Sequence, residues 1–183
     1  YVSVVVTGRH DDLRGDNVGR LQGFIDLLTW QLDRHQVPGE VIVVDWAPVE
    51  WTYNGQTYTV KLKDVLRANP QTRCPVRVIT VDSSVHWRVA VGTGNSFLEY
   101  AAKNVGARRA RGRFVLFTNG DVLLSNSLAE MLGKEMLDEG SFYRIPRSEI
   151  PGLMDPLAPL DMRRAALEEL VEVLGEEKTC ERG

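Results

Sequence analysis

Four short apolar runs constrain this chain more than any other feature: residues 2–6 (Val-Ser-Val-Val-Val), 41–44 (Val-Ile-Val-Val), 76–81 and 114–117. Each is β-branched or aromatic, and polar segments carrying Gly or Pro bound them, so they read as buried strands rather than helices. Between the first two runs, Val18, Leu21, Ile25, Leu28 and Leu32 recur at steps of three and four, which is one face of a helix. Asp16 or Asn17 is the expected cap of that helix, and Pro38-Gly39 its stop. Strands alternating with amphipathic helices must cover both faces of a sheet. The fold class is therefore α/β, a Rossmann-like sandwich with a mainly parallel central sheet flanked by helices. A chain of 183 residues is long enough to bury one such core.

Between the second and third runs, aromatic and β-branched residues surround Asn54-Gly55, a strong hairpin signal. The spacing predicts a surface ribbon over 51–60, inserted after the second strand, followed by a short helix over 62–68. His86, Trp87 and Arg88 fall in an expected loop that continues through Gly92 and Gly94. A helix over 96–110 follows, and then the fourth strand. Ser127 with Glu130 forms a capping box for a helix reaching about residue 139, and residues 142–145 suit a fifth strand. This first domain spans 1–150. Residues 151–183 differ: a Pro-containing link leads to Leu167, Leu170, Val171 and Leu174, the apolar stripe of an amphipathic helix.

Net charge is −3, and the acids gather in the tail while the basic residues gather at 103–113, which suits a local anion site better than a nucleic-acid surface. No apolar run approaches a membrane span, and no signal peptide is expected. The compartment is left open, the cytoplasm being the favoured reading. Cys74 and Cys180 lack a His cluster, which argues against a zinc site. They are read as free thiols or as one bridge.

Residues 103–124 carry the functional signal. A helix ends in Asn104-Val105-Gly106 and a basic run, a buried strand follows, and the strand opens onto Asn119-Gly120-Asp121. A carboxylate in that turn lies at the edge of the sheet where α/β proteins bind ligands. It can hold Mg²⁺ or Mn²⁺, and the cation can hold a diphosphate. Here the chain resembles the nucleotide-sugar-dependent glycosyltransferases of the GT-A fold, family 2 type. Their pattern is close to A-R-N-x-G-x-x-x-A-x-G-x, an apolar strand, then D-x-D. It stands in this chain as Ala102, Lys103, Asn104 and Gly106, then Ala110 and Gly112, the strand, and Asn119-Gly120-Asp121. The departure is Asn119, where the family usually has its first Asp. The resemblance covers roughly residues 2–147.

The resemblance implies a nucleoside-diphosphate-sugar donor, a divalent cation (Mn²⁺ or Mg²⁺) and a glycan or other hydroxyl acceptor. It implies that Asp121 is the metal ligand, that Asn119 contacts a ribose, and that Asp45, ending the second strand, recognises base or ribose. The first loop, with Thr7, Gly8 and Arg9, would wrap the nucleotide, partly through its backbone. Lys103 and Asn104 would lie near phosphate and nucleotide. Each has an ordinary alternative. Asn-Gly-Asp is good turn chemistry without a metal, Asp45 can be a helix cap, and Trp46 can stack on a base or close the core. Asp11 or Asp12 can orient Arg9, and Arg109 and Arg113 suit a solvated helix face.

Other nucleotide folds are disfavoured. The first loop, Gly8 to Gly19, lacks G-x-G-x-x-G, no G-x-x-x-x-G-K-[ST] exists, and the glycine-rich first loop of nucleotidyltransferases is absent. Family members continue into an acceptor half that supplies a general base. Residues 151–183 hold no strand-and-acid arrangement of that kind, and no catalytic residue is assigned. Three expectations remain open: a fragment of a larger glycosyltransferase, a glycosyltransferase domain completed by another domain or subunit, or a nucleotide-sugar-binding module without its own acceptor site and base, its activity lost.

Overall fold

The computed structural model describes residues 1–11, 17–146, 162 and 181–182. The predicted tail helix and its link, Asp12, Asp16 and Cys180 lie outside the described residues. The central sheet has four parallel strands in the order β5-β2-β1-β6: β1 (Val2–Gly8), β2 (Gly39–Trp46), β5 (Val76–Val81) and β6 (Phe114–Phe117). All four expected strands are present. Val4 and Val43 are fully buried, and Leu116 packs half-buried against the same core.

Alternation along the strands divides the interior in two. Val2, Val4, Val6, Val41 and Val43 face α1 (Asn17–Arg34) and α5 (Asn126–Gly133). Val5, Ile42, Val44 and Trp46 face the other way, against Ala102 and its neighbours on α4 (Glu99–Ala107). A strand residue shows the opposite face from its neighbour. One valine-rich run therefore serves two cores, and a wholly apolar run is what a sheet covered on both sides requires. Full burial of a Val or Leu is worth about 1.5–3 kcal/mol before chain entropy is charged against it.

The glycines and alanines of the 102–112 stretch have a packing reason. A Cβ on Gly106 would stand 2.4 Å from Val5 Cγ1, so its absence lets α4 lie close on β1. A Cβ on Gly112 would stand 2.6 Å from the Ser3 backbone nitrogen, at the point where the chain turns into β6. Ala102 is fully buried beside them.

Several boundaries differ from expectation. Asn17 is the first residue of α1, and its side-chain amide donates to the carbonyl and carboxylate of Asp11, so it does not cap the helix. That helix ends before Pro38: Gln36 turns left-handed (φ 54°) and Val37 donates back to the Leu32 carbonyl at 2.8 Å. The cap of α5 is Ser125 rather than Ser127, its Oγ accepting from Leu128 N–H at 3.2 Å, and Glu130 pairs with Lys134 instead of closing a capping box. The segment 62–68 is helical only as α2 (Leu62–Val65). The expected loop around His86 is a helix, α3 (Ser83–Val89), which Asp82 caps by accepting from Ser84 N–H at 2.8 Å. Residues 142–145 do not extend the central sheet, because β7 (Tyr143–Arg144) pairs antiparallel with β8 (Glu181–Arg182).

The hairpin is as expected. β3 (Glu50–Tyr53) and β4 (Gln56–Thr59) join through Asn54 (φ 48°) and Gly55 (φ 74°), the two positive values a type I′ turn needs. Trp46 closes the core: it is buried, and its Nε1–H donates to His86 Nδ1 at 3.0 Å. Cys74 is a buried free thiol, which desolvation and the nearby charges of Asp33 and Glu40 push up to about 12. Among the described residues no helix is long and apolar enough to cross a membrane.

Candidate functional site

The chain leaves β1 towards β2 and β5, then returns to β6 on the other side of β1. α1 covers one face on the outward path and α4 the other on the return. The order reverses between β1 and β6, so a crevice opens outside their carboxyl ends, the place where open α/β sheets bind ligands. Gly8 ends β1 on one side of it, and Thr118, Asn119, Gly120 and Asp121 follow β6 on the other. Leu21 of α1 lies between them: a Cβ on Gly8 would meet its Cδ2 at 2.9 Å, and one on Gly120 its Cδ1 at 3.0 Å.

On the β6 side, Lys103 Nζ donates to Asn119 Oδ1 at 2.9 Å and to Glu99 Oε1 at 2.5 Å. The lysine of the helix motif and the asparagine of the strand-end turn, sixteen residues apart, are thus in direct contact. Glu99 and Lys103 stand one helical turn apart, an i,i+4 pair that lies outside the motif but is legible in the sequence. Asp121 is exposed, and no described residue bonds its carboxylate. Asn104 is also exposed on α4, with no described side-chain partner.

On the β1 side, Thr7 and Gly8 are half-buried in the last turn of the strand. Arg9 is fully engaged. Its guanidinium pairs with Asp11 at 2.7 Å, donates to the Ser96 carbonyl at 2.6 Å and lies 5.7 Å from the Phe97 ring centroid. Asp11 orients Arg9, as one reading expected, and Arg9 in turn ties the first loop to the segment before α4. Asp11 is also held by Asn17, which leaves it little freedom as a metal ligand.

Asp45 lies one strand away from the crevice and is fully buried. Its Oδ2 accepts from Leu62 N–H at 2.9 Å and more weakly from Thr80 Oγ1 at 3.4 Å, so the carboxylate caps α2. Its Oδ1 has no partner among the described residues. Burial pushes the carboxyl above its ordinary range, and the Leu62 and Thr80 bonds offset only part of that. A cavity of about 250 Å³ lined by Ile25, Lys63, Leu66, Arg67, Val76 and Val78 lies by β5 and shares no residue with the crevice.

Among the described residues no group of three or more His, Cys, Asp or Glu is placed to hold a metal. Asn119 already accepts from an ammonium, so Asp121 is the one motif carboxylate among the described residues that is exposed and without a described partner. That suits a hard cation held by a single carboxylate together with substrate phosphates and water, and not an all-protein cage. The backbone is that of a Rossmann-like α/β protein, with its switch point between β1 and β6. No family model, curated protein or solved structure matches the chain.

Proposed function

We propose that this chain is the donor-binding domain of a GT-A-type glycosyltransferase, taking a nucleoside-diphosphate sugar with Mn²⁺ or Mg²⁺. One observation supports the reading: Lys103 and Asn119, from two separated parts of the motif, are in contact at the carboxyl end of β6, with Asp121 next but one along the chain. Fold alone would not support it, because this architecture hosts many activities.

In the proposed reaction an acceptor hydroxyl oxygen bonds to the anomeric carbon of the sugar. The bond from that carbon to the diphosphate breaks, its electron pair leaves with the nucleoside diphosphate, and the hydroxyl proton passes to a general base. Asp121 would hold a cation, and that cation, when bound, would neutralise charge building on the leaving diphosphate. The backbone of Thr7 and Gly8 lines the opposite wall. Asp45, whose unpaired Oδ1 is fully buried, would meet an N–H or hydroxyl of the nucleoside only where ligand binding exposes it.

A second reading, a donor-binding module without its own acceptor site, is favoured by β7, which pairs outside the central sheet and so does not widen it towards an acceptor half.

Calorimetry with nucleoside diphosphates, with and without Mn²⁺, tests the first reading. Asp121→Ala is expected to abolish the Mn²⁺-dependent part of binding and leave the fold intact, since an exposed turn carboxylate holds no core together. Tight Mn²⁺ binding without nucleotide, or an unchanged Mn²⁺ dependence in Asp121→Ala, would sink it. Donor hydrolysis or transfer by the domain alone separates the enzyme from the module.

A further inference from the structure

Lys103, at the basic position of the helix motif, stands at the end of β6 beside a neutral side chain rather than an acid. The position that usually holds an acid is Asn119, and its amide oxygen receives the Lys103 ammonium at 2.9 Å. That ammonium is also paired with Glu99 at 2.5 Å, and the lysine side chain is 16% exposed whereas that of Glu99 is 41% exposed. The two partners therefore differ in kind. Asn119 is neutral and fixed at the strand end. Glu99 is charged, reaches the lysine from the solvent side, and can rotate away at small energetic cost.

We propose that Lys103 is a metal-independent cation for the diphosphate group and that Glu99 is its built-in counter-ion, displaced when the ligand binds. This rests on the crevice being a nucleotide diphosphate site. It goes further in assigning Glu99, which no motif contains, and in dividing the neutralising charge between a lysine and a cation on Asp121. Asn119 keeps the ammonium pointed at the crevice in both states, because a neutral amide oxygen accepts from it without cancelling its charge. Glu99 lowers affinity by placing a negative charge beside an anionic ligand, an effect that weakens donor and product alike and so favours release of the nucleoside diphosphate.

The test is binding of inorganic pyrophosphate and of a nucleoside diphosphate in EDTA, to the wild-type chain, Glu99→Gln and Lys103→Met. Removing one negative charge a few ångströms from a polyanion is expected to tighten pyrophosphate binding about 3–10-fold at low salt, and less at high salt. Lys103→Met keeps the aliphatic stem and is expected to lose metal-free binding. Equal or weaker binding in Glu99→Gln, or unchanged metal-free binding in Lys103→Met, overturns the proposal. Mn²⁺-dependent nucleotide binding that survives such a result leaves the donor-binding reading standing. Pyrophosphate binding that responds to both variants, with no nucleoside diphosphate bound under any condition, removes that reading and keeps the anion site.

Discussion

The two ends of the sheet hold buried carboxylates on the same strand, and the two are treated in opposite ways. At the amino end of β2, Glu40 accepts from Ser3 Oγ, from Arg111 N–H and from Arg77 Nε, each at 2.8 Å. Ser3 Oγ in turn accepts from Gly112 N–H at 2.9 Å, and Arg77 donates to the Arg109 carbonyl at 2.6 Å. Burial acts to raise the Glu40 carboxyl, but these donors outweigh it and hold it below its ordinary range. At the carboxyl end, Asp45 has one good donor and an oxygen with no described partner, and burial wins. At one end the Glu40 joint uses all its described hydrogen bonds, although His35 Nε2, between α1 and β2, is buried without a described partner. The other keeps an unpaired acceptor, an exposed carboxylate and a lysine shared between two partners. Polar groups left unsatisfied cost stability and persist where a ligand can use them, so the difference separates the scaffold end from the site end.

The largest expected effect breaks the closed end. Gly112→Ala places a methyl 2.6 Å from the Ser3 backbone nitrogen and 2.7 Å from the Val2 carbonyl carbon, atoms that cannot move without shifting β1. A loss of about 3 kcal/mol is expected from such overpacking, read by urea unfolding. A loss below about 1 kcal/mol would mean that the joint is loose and the contrast between the ends overstated.

Glu40→Gln comes next. One amide oxygen can still accept, but the NH₂ group must face a donor, Arg77 or the Arg111 N–H. A cost of about 2 kcal/mol is expected. The pH dependence has a definite sign. Because the folded carboxyl of Glu40 lies below its unfolded value, its contribution is complete above the unfolded value and is lost as pH falls through the folded one. Stability curves of wild type and Glu40→Gln should therefore converge in acid. Parallel curves down to the acid limit would contradict the assignment.

Asp45→Asn is expected to be neutral or to stabilise by up to about 1 kcal/mol at neutral pH, because the amide oxygen can still cap α2 and no charge is buried. The sign here is the reverse of Glu40. The folded carboxyl lies above its unfolded value, so the cost of burying the charge is absent below the unfolded value and grows as pH rises through the folded one. The gain in Asp45→Asn should vanish in acid. Nucleoside affinity should fall in the same variant if Oδ1 accepts from the ligand, and a variant that is both more stable and fully competent would confine Asp45 to capping.

Much of the scaffold was legible because it depends on local pattern. Runs of valine identify strands buried on both faces, and Asn54-Gly55 identifies its turn. Part of the motif read as functional is architectural: Gly106, Gly112 and Ala102 dock α4 and the start of β6 on β1. Contacts between distant residues were not legible. Nothing near Asp45 in the sequence reveals that it caps a helix seventeen residues on, and nothing near Lys103 reveals Asn119 until β6 lies beside β1. Asp82-Ser83-Ser84 did carry a helix-start signal for α3, hidden by the loop-like Gly92 and Gly94 beyond it. Ser125 took the cap expected of Ser127 because its own Oγ reaches the Leu128 N–H.

The smallest expected effect concerns the ribbon that rises from the site end of β2. Its four-residue strands are exposed along their length, with Trp51 and Tyr58 stacked at 6.3 Å between centroids. Gly55 has open space around it, so Gly55→Val meets no steric wall; the penalty is conformational, from a β-branched residue at φ 74°. About 1–2 kcal/mol of local strain is expected. It should appear in the ribbon alone, as faster amide exchange across the pairs Trp51–Tyr58 and Tyr53–Gln56, with global unfolding shifted by less than about 0.5 kcal/mol. Nucleotide affinity should stay within about twofold, since no ribbon side chain bonds to a crevice residue among those described. A tenfold or greater loss of affinity would move the ribbon into the site and extend the unsatisfied end of the sheet beyond the β1–β6 crevice.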